Sequence, residues 1–452
     1  MATKAFYAGA AKTDITPPLG SFINGDFVIH YATSVHDPLY SKALVMQNRK
    51  MTIVLVVVDI CLMPKDFLDE VKSDIFRLEG IDAANILISS THTHAAASVE
   101  GILLGAADLP YRKKLSGLIV QSVQQAKQNL KPAKIAFGSV DAPEHVVCRR
   151  YYMKEGYKAR NPVTGGLDIV KTNPAGAEGQ IIKRVSRADT RLNYLAVKGA
   201  DDRWIALLGN YSMHYVGDWP KGTISADYFG TFSKHIGSWL NAGDGFVGML
   251  SNGTSGEANI WDFLEPDRHP AAFFEKSEFI GRELAGKVFR SLHHVEWETN
   301  PLLSAVYEEI TVPVRKPSLN ELEEAKKIIA VSDYEDLAVN EEGLKQIYAR
   351  EQVLLYEYPD SVLMPLQVIR IGTGVIGALP GEFFAETGLW LKENISHDKY
   401  FTITLANGYF GYVPPAKEIE LGGYETWRCR TSYLNAEREI RTKLLELARQ
   451  IK

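Results

Sequence analysis

Cysteine is scarce in this chain. Cys61, Cys148 and Cys429 are the only three in 452 residues, and they lie far apart. An odd, scattered set builds neither a disulfide framework nor a cysteine-rich zinc site. Reduced thiols follow, which suits a cytoplasmic protein. A marked excess of charge of one sign is missing too. The formal net charge is -5 and no basic block stands out, which argues against a nucleic-acid partner. The longest apolar run, Thr52 to Met63, is too short to cross a bilayer and is broken by Asp59, so no transmembrane segment is expected. The opening stretch MATKAFYAGAAKTDITPP has no basic start followed by an apolar core. No signal peptide is expected from it, and a cytoplasmic location is the reading, with a secreted mature form left open. No linker, repeat or low-complexity tract divides the sequence, so 1–452 reads as one domain.

What is present is an ordinary core-forming balance, 46% hydrophobic and 23% charged. Strand-like and helix-like patterns alternate. Thr52 to Val58 is rich in β-branched residues and predicts a buried strand. Pro64 to Leu78 has helical spacing, with Phe67, Val71 and Ile75 on one face. Ile86 to Ser89 predicts the next strand, and Leu115, Ile119, Val123 and Ala126 mark a second helix. Further strands are expected at KIAFGSV, NYLAVKG, WIALLGNYSM and FVGMLS, and helices near 228–240 and 277–292. Ser318 to Glu357 is polar and helical, with Ser318 as its N-cap. A strand pair turns at Gly372 to Gly374. The stretch from Arg149 to Ala188 has little periodicity and reads as a long surface excursion of the kind that often serves function. The expected class is mixed α/β, with β-sheets layered with helices.

Chemistry gathers where apolar runs end. ILISSTHTHAAA delivers His92 and His94 two residues apart. On a strand, i and i+2 share a face, so both imidazoles aim one way, and neutral imidazole is a good zinc ligand. WIALLGNYSMHYVGDW ends an apolar run at His214 in the same manner. VIGALPGEFFAETG runs strand, turn, helix, with Glu382 at the turn, where helix capping or metal ligation both suit a carboxylate. LANGYFGYVPPAKEIELGGYETW is rich in glycine and tyrosine, including Tyr409, Tyr412 and Tyr424. MLSNGTSGEANIWD looks superficially like a nucleophile elbow, but the G-x-S-x-G spacing fails at Ser255. Each motif alone has an ordinary structural explanation.

Taken together and in order, these segments resemble the catalytic domain of the neutral/alkaline ceramidase family. GAAKTDITPPLG, HDPLYSKALVM, VVVDICLM, STHTH, NYSMH, ISADYFG, LPGEFFAETG and YFGYVPP carry the likeness, over roughly Ala8 to Glu425. The resemblance implies one zinc ion held by His92, His214, Glu382 and Tyr412. It places Tyr424 in the active site, His94 beside the substrate, Arg149 or Arg150 on the substrate, and Gly25 in the pocket lining. Departures accompany it. Family members that cleave ceramide have a serine in a G-D-V-S-P-N loop. Here the loop reads Gly256-Glu257-Ala258-Asn259-Ile260, so Asn259 takes that serine's place. Ala95, Ala96 and Ala97 replace Ser-Gly-Pro, with the pocket rim as their expected position. Cys148 replaces asparagine, and no immunoglobulin-like C-terminal domain is expected.

The expectation is a zinc-dependent amidohydrolase. Water activated on the metal attacks the carbonyl, His94 moves the proton, Tyr424 steadies the oxyanion and Asn259 offers hydrogen bonds. The partner is a small or lipid-like N-acyl substrate, not necessarily ceramide, and a homo-oligomer is compatible with the sequence. Three alternatives stay open: a non-catalytic binder on the same scaffold, a zinc esterase of small polar substrates, and a metal-independent hydrolase using Ser255.

Overall fold

In a computed structural model, residues 6–334, 337–427, 429–430 and 435–451 are described. The first five residues of the stretch read for a leader lie outside them. An eight-stranded sheet is built, in chain order, from β1 (Tyr7–Asp14), β2 (Tyr40–Gln47), β3 (Thr52–Val58), β4 (Ile86–Ser90), β5 (Lys131–Asp141), β6 (Arg191–Gly199), β7 (Trp204–Tyr211) and β8 (Val247–Asn252). Its spatial order is β8-β7-β6-β5-β1-β2-β3-β4. A four-stranded sheet follows the order β9 (Leu303–Pro313), β10 (Ser361–Ile371), β11 (Gly374–Ala378), β12 (Lys399–Ile403).

The β3 sequence explains why these sheets stack. Its apolar residues do not alternate with polar ones because both faces are covered. Val54, Val56 and Val58 join the cluster formed with helices α1 (Lys65–Glu79) and α2 (Leu109–Gln128). Ile53, Leu55 and Val57 join Ile369, Ile376 and Phe401 from the smaller sheet. At the other end of the large sheet, Leu192, Tyr194, Leu207 and Leu250 pack against α3 (Asp227–Trp239) and α4 (Glu275–Ser291). The far face of the small sheet carries α7 (Ala385–Asn394) and α8 (Ala436–Gln450). The result is helices, large sheet, small sheet, helices.

Most neighbouring strands are antiparallel. Within these two sheets the parallel pairs are β3–β4, β7–β8 and β11–β12. Each closes a strand-helix-strand unit, through α1, α3 and α7 respectively. In such units the chain leaves the sheet at the carboxyl ends of the strands, where α/β proteins place ligands.

The residues after β12 bring these exits together. Thr404 N–H donates to Asn252 O at the end of β8 (3.0 Å), Ser90 N–H of β4 donates to Leu405 O (3.1 Å), and Asn407 N–H donates to Ile88 O (2.8 Å). One strap therefore bonds to both outer strands of the large sheet. Asn407 holds the strap with its side chain as well. Its Oδ1 accepts from Ile88 N–H at 3.3 Å and its Nδ2 donates to Gln367 Oε1 at 2.8 Å.

The expected elements correspond to β3, β4, α1 to α4, β5 to β8, the hairpin β10–β11 and α8, with ends shifted by a few residues. The polar segment after Ser318 forms two helices, α5 (Leu319–Ile329) and α6 (Glu341–Glu357), and Ser318 makes a capping box with Glu321. The excursion after Arg149 is not structureless. Arg150–Met153, Val170–Thr172 and Ile181–Arg184 pair into a small sheet of their own. Among the described residues, no helix is long and apolar enough to cross a membrane.

Asn407→Ala strands two buried partners, Ile88 N–H and Gln367 Oε1. At roughly 1–3 kcal/mol per unsatisfied buried group, a loss of about 2–4 kcal/mol is expected in urea unfolding. An unchanged midpoint would show that the strap does not hold the sheet edges.

Candidate metal centre

His92 lies two residues beyond β4, and His214 three beyond β7. Glu382 follows β11 through a Leu-Pro-Gly turn, and Tyr412 pairs with Glu382 in a two-residue parallel ladder. The HTH segment is not a strand continuation, contrary to the argument from i,i+2 alternation. β4 ends at Ser90, and His92 has a left-handed backbone with φ 75°. A non-glycine residue is held there only by its surroundings, here by His92 N–H donating to Ile60 O at 3.0 Å.

Backbone carbonyls fix both ring tautomers. A carbonyl only accepts, so His92 Nδ1–H donates to Cys61 O (2.8 Å) and His214 Nδ1–H donates to Ser255 O (3.1 Å). The lone pairs of both Nε2 atoms are thereby turned inward, 3.1 Å apart. Glu382 Oε2 lies 3.5 Å from the first and 3.6 Å from the second. It is buried and accepts no hydrogen bond, whereas Tyr409 O–H donates to Oε1 at 2.9 Å. Three acceptors thus face one point, and one positive charge there satisfies all three. A proton on one ring serves one neighbour at a time, whereas a cation serves the whole set. His92, His214 and Glu382 therefore form a site able to hold a metal ion. Before a cation enters, the same field draws a proton to this point, onto His92. Burial alone would raise the Glu382 carboxyl, but the nearby His92 charge outweighs it and holds the group below its ordinary range. Burial opposes a charge on His92, yet the Cys61 thiol and Glu382 raise that imidazole well above its usual value.

Beside these groups opens a cavity of about 450 Å³ whose walls include His94, His214, Arg149, Tyr412 and Tyr424. His94 Nε2 lies 3.3 Å from His92 Nε2, and its ring stacks on Tyr215 at 3.6 Å. Burial, then the His92 and Arg149 charges, push its imidazole well below the usual value, so it is neutral near pH 7. Gly25 is required against it. Its φ is 114°, and a Cβ there would meet the His94 ring at 2.4 Å. Arg149 donates from Nη2 to Tyr412 Oη (3.0 Å) and Gly256 O (2.7 Å), and from Nε to Glu425 Oε1 (2.7 Å). Burial raises the Tyr412 phenol well above 10, with the Glu382 charge adding to it, so metal ligation by this oxygen requires a cation to displace its proton.

The structure brings together His92, His94, His214, Glu382, Tyr412, Tyr424, Arg149 and Gly25. It does not bring Arg150 or Asn259 to the cavity. Arg150 is fully buried and bound by Glu425 (2.8 Å) and Glu418 (3.2 Å). Asn259 pairs with Val147 and donates to Asn173 Oδ1 at 2.9 Å, one residue behind the wall. Ala95, Ala96 and Ala97 are fully buried rather than at the rim. Ser255 O–H donates to Asn252 Oδ1 (2.8 Å) instead of to a histidine, so the site gives it no base. Sequence reasoning missed Cys61, Tyr215 and Glu425. The last had a signal in the GGYE motif, while the first two act through contacts with no sequence pattern.

The loop Ser255-Gly256-Glu257 acts as a clamp on the centre. Ser255 O orients His214. Gly256 N–H donates to Phe383 O at 2.9 Å, and a Cβ on Gly256 would strike Glu382 O at 2.7 Å. Both Glu257 oxygens accept from Ala385 N–H, at 3.0 and 2.9 Å. Capping of α7, one of the two roles open to Glu382 from sequence, thus falls to Glu257 and leaves Glu382 free to face the histidines.

With this geometry in hand, the likeness to known proteins is specific. Residues 6–162 match the family model for neutral/alkaline non-lysosomal ceramidase, N-terminal. A solved ceramidase complexed with C2 is 15% identical, covering 99% of this chain and 75% of that chain, with a TM-score of 0.73. The neutral ceramidase from Pseudomonas aeruginosa is 16% identical, covering 99% and 74%, with a TM-score of 0.70. No curated protein matches the sequence. The fold is that of the ceramidases. Residues 6–162 thus carry a likeness to the neutral/alkaline ceramidases, and the whole chain shares their fold.

Glu257 makes the clamp sensitive to pH. Burial, helped by Glu418, pushes its carboxyl up to about 8 in spite of the Ala385 N–H and Arg150. A raised folded value means stability present at low pH and lost as pH rises from the ordinary carboxyl range through about 8. Glu257→Gln keeps a neutral acceptor. Its melting temperature is therefore expected to fall less than that of the wild type between pH 6 and 9. Parallel curves would refute this assignment.

Proposed function

We propose that the chain is a zinc-dependent hydrolase of amide C–N bonds, with His92, His214, Glu382 and Tyr412 as the residues that hold the ion. The observation that carries this reading is the meeting of two imidazole lone pairs with a buried carboxylate oxygen that has no donor. Two nitrogens and hard oxygens suit zinc among the common cations. Zinc supplies Lewis-acid polarisation of a carbonyl and lowers the pKa of water to about 7.

The remaining chemistry belongs to the side chains. His94 is neutral and close to His92, so it can take a proton from the attacking water. The water oxygen forms the new bond to the acyl carbon, the C–N bond breaks, and His94 returns the proton to the leaving amine. Tyr424, edge-on to Tyr412 at 5.7 Å between rings, can donate to the developing oxyanion. Arg149 keeps the Tyr412 oxygen in place and is itself held by Glu425. Water is the nucleophile, so the absent loop serine does not obstruct the reaction. Whether ceramide is cleaved is a separate matter, since the cavity walls are largely polar and aromatic.

Purified protein is expected to carry one zinc equivalent by plasma mass spectrometry, and Glu382→Ala to reduce it to background. A full equivalent in that variant would sink the assignment. His94→Ala separates proton transfer from binding. It should keep its metal and lose about 10²–10⁴-fold in kcat on N-acyl substrates, with ceramide as one of the panel. Loss of metal in His94→Ala would instead make that residue a ligand.

A further inference from the structure

We propose that the substrate carries an anionic group, a carboxylate first of all, which Lys171 and Lys221 hold at the cavity wall. The proposal rests on the hydrolase reading above and names the class of amide that the site selects.

The lining does not suit a long acyl chain. Ile23 and Leu344 are its only branched aliphatic residues, while Phe27, Tyr215, Trp219, Trp261, Tyr424 and Trp427 supply aromatic surface. A volume of about 450 Å³ falls in the ordinary range for small-ligand pockets, roughly 300–1,000 Å³. The charges in the wall are unequal. Asp26 is the one carboxylate, and it is paired with His30 at 2.7 Å. Arg149, Lys171 and Lys221 are the cations. Arg149 is matched by Glu425. Among the described residues, neither Lys171 nor Lys221 has a carboxylate within ion-pair distance.

Lys171 is the more informative of the two. It sits on the short strand Val170–Thr172, half-buried, beside Thr172, whose hydroxyl donates to Glu425. The carboxylate that acts on it is Asp168, which raises its pKa while burial lowers it more. Asp168 is already used, with Oδ1 accepting from Asn161 Nδ2 and Oδ2 from Trp427 Nε1, both at 2.8 Å. A partly desolvated ammonium without a counter-ion is costly, and an anion entering the cavity would relieve that cost. Lys221 is exposed and adds a second positive charge to the lining from the segment after β7. A cleft with an excess of one sign concentrates ligands of the other.

The test compares N-acetylphenylalanine with its neutral carboxamide, with acetate release as the readout. The acid should have the higher kcat/KM, and added salt should narrow the difference. The Lys171→Met/Lys221→Met double variant should lower the acid-to-carboxamide ratio of kcat/KM by on the order of tenfold per lysine, chiefly through KM. Lys171→Arg should restore part of it. Equal use of the two amides, or a ratio unmoved by the double variant, overturns the proposal and leaves zinc hydrolysis standing. Equilibrium binding, followed by quenching of tryptophan fluorescence, covers the case of no turnover. Lysine-dependent preference for the acid then supports charge selection while hydrolysis fails, and equal or absent binding of the acid overturns it. Urea unfolding of the double variant checks that its fold is intact.

Discussion

Three hydrogen-bond acceptors are made to face one another in the interior, and the structure around them depends on that. Two lone pairs and a carboxylate oxygen within about 3–4 Å repel unless something positive stands between them. Such a cluster persists only if each member is held from behind. His92 is held by Cys61 O and a left-handed backbone, His214 by Ser255 O, and Glu382 by Tyr409 and by the turn that precedes α7. The three come from different strand-helix-strand units. Their meeting requires that the outer strands of the large sheet be tied together, which the strap from Thr404 to Asn407 does. Fold and site are thus one problem: without the strap, His92 and His214 leave opposite ends of an eight-stranded sheet.

A second set of charges surrounds the first. Glu425 accepts from Arg149, Arg150 and Thr172, and Arg150 also binds Glu418. All are buried. Removing one member of such a network leaves an unpaired charge, which costs far more than the intact pair contributes. The arginines belong to the excursion that begins at Arg149, and the glutamates to the helices Ala416–Leu421 and Tyr424–Trp427. The network therefore fastens the excursion over the cavity and sets Tyr424 beside Tyr412. A stretch that is loop-like in composition becomes a fixed wall because its charges are satisfied from outside itself.

The layers were legible in the sequence and the convergence was not. β3 announces burial on both faces by its unbroken β-branched run, and the helices announce themselves by spacing. The four groups around the candidate centre were found through family likeness, since His92, His214, Glu382 and Tyr412 are spread over more than 300 positions and no local pattern joins them. Alternation along a strand gave a wrong reason for a correct neighbourhood: His92 and His94 meet across a left-handed turn. Arg149 and Arg150 were indistinguishable as a dipeptide. The fold then turns Arg149 toward Tyr412 and Arg150 into Glu418, with Glu425 binding both. β9 went unpredicted because its residues are mostly half-buried, so neither period dominates. Tyr215 and Cys61 act by contact alone, and a single sequence carries no sign of that.

The replaced serine takes on a different meaning in this setting. Asn259 lies behind Asn173 and contributes through that wall residue, not through a reacting atom. The same loop offers its neighbours to the centre instead: Ser255 through its carbonyl, Gly256 through its lack of a side chain, Glu257 through the cap on α7. A loop that supplies a hydroxyl must leave that hydroxyl free and aimed at substrate. Here Ser255 O–H is spent on Asn252, while Ser255 O holds His214 and Gly256 N–H holds the Phe383 carbonyl beside Glu382. The loop has the form of a brace. That fits a reaction whose nucleophile is water, and it leaves substrate selection to the cavity lining, which is rich in aromatic rings and poor in aliphatic side chains.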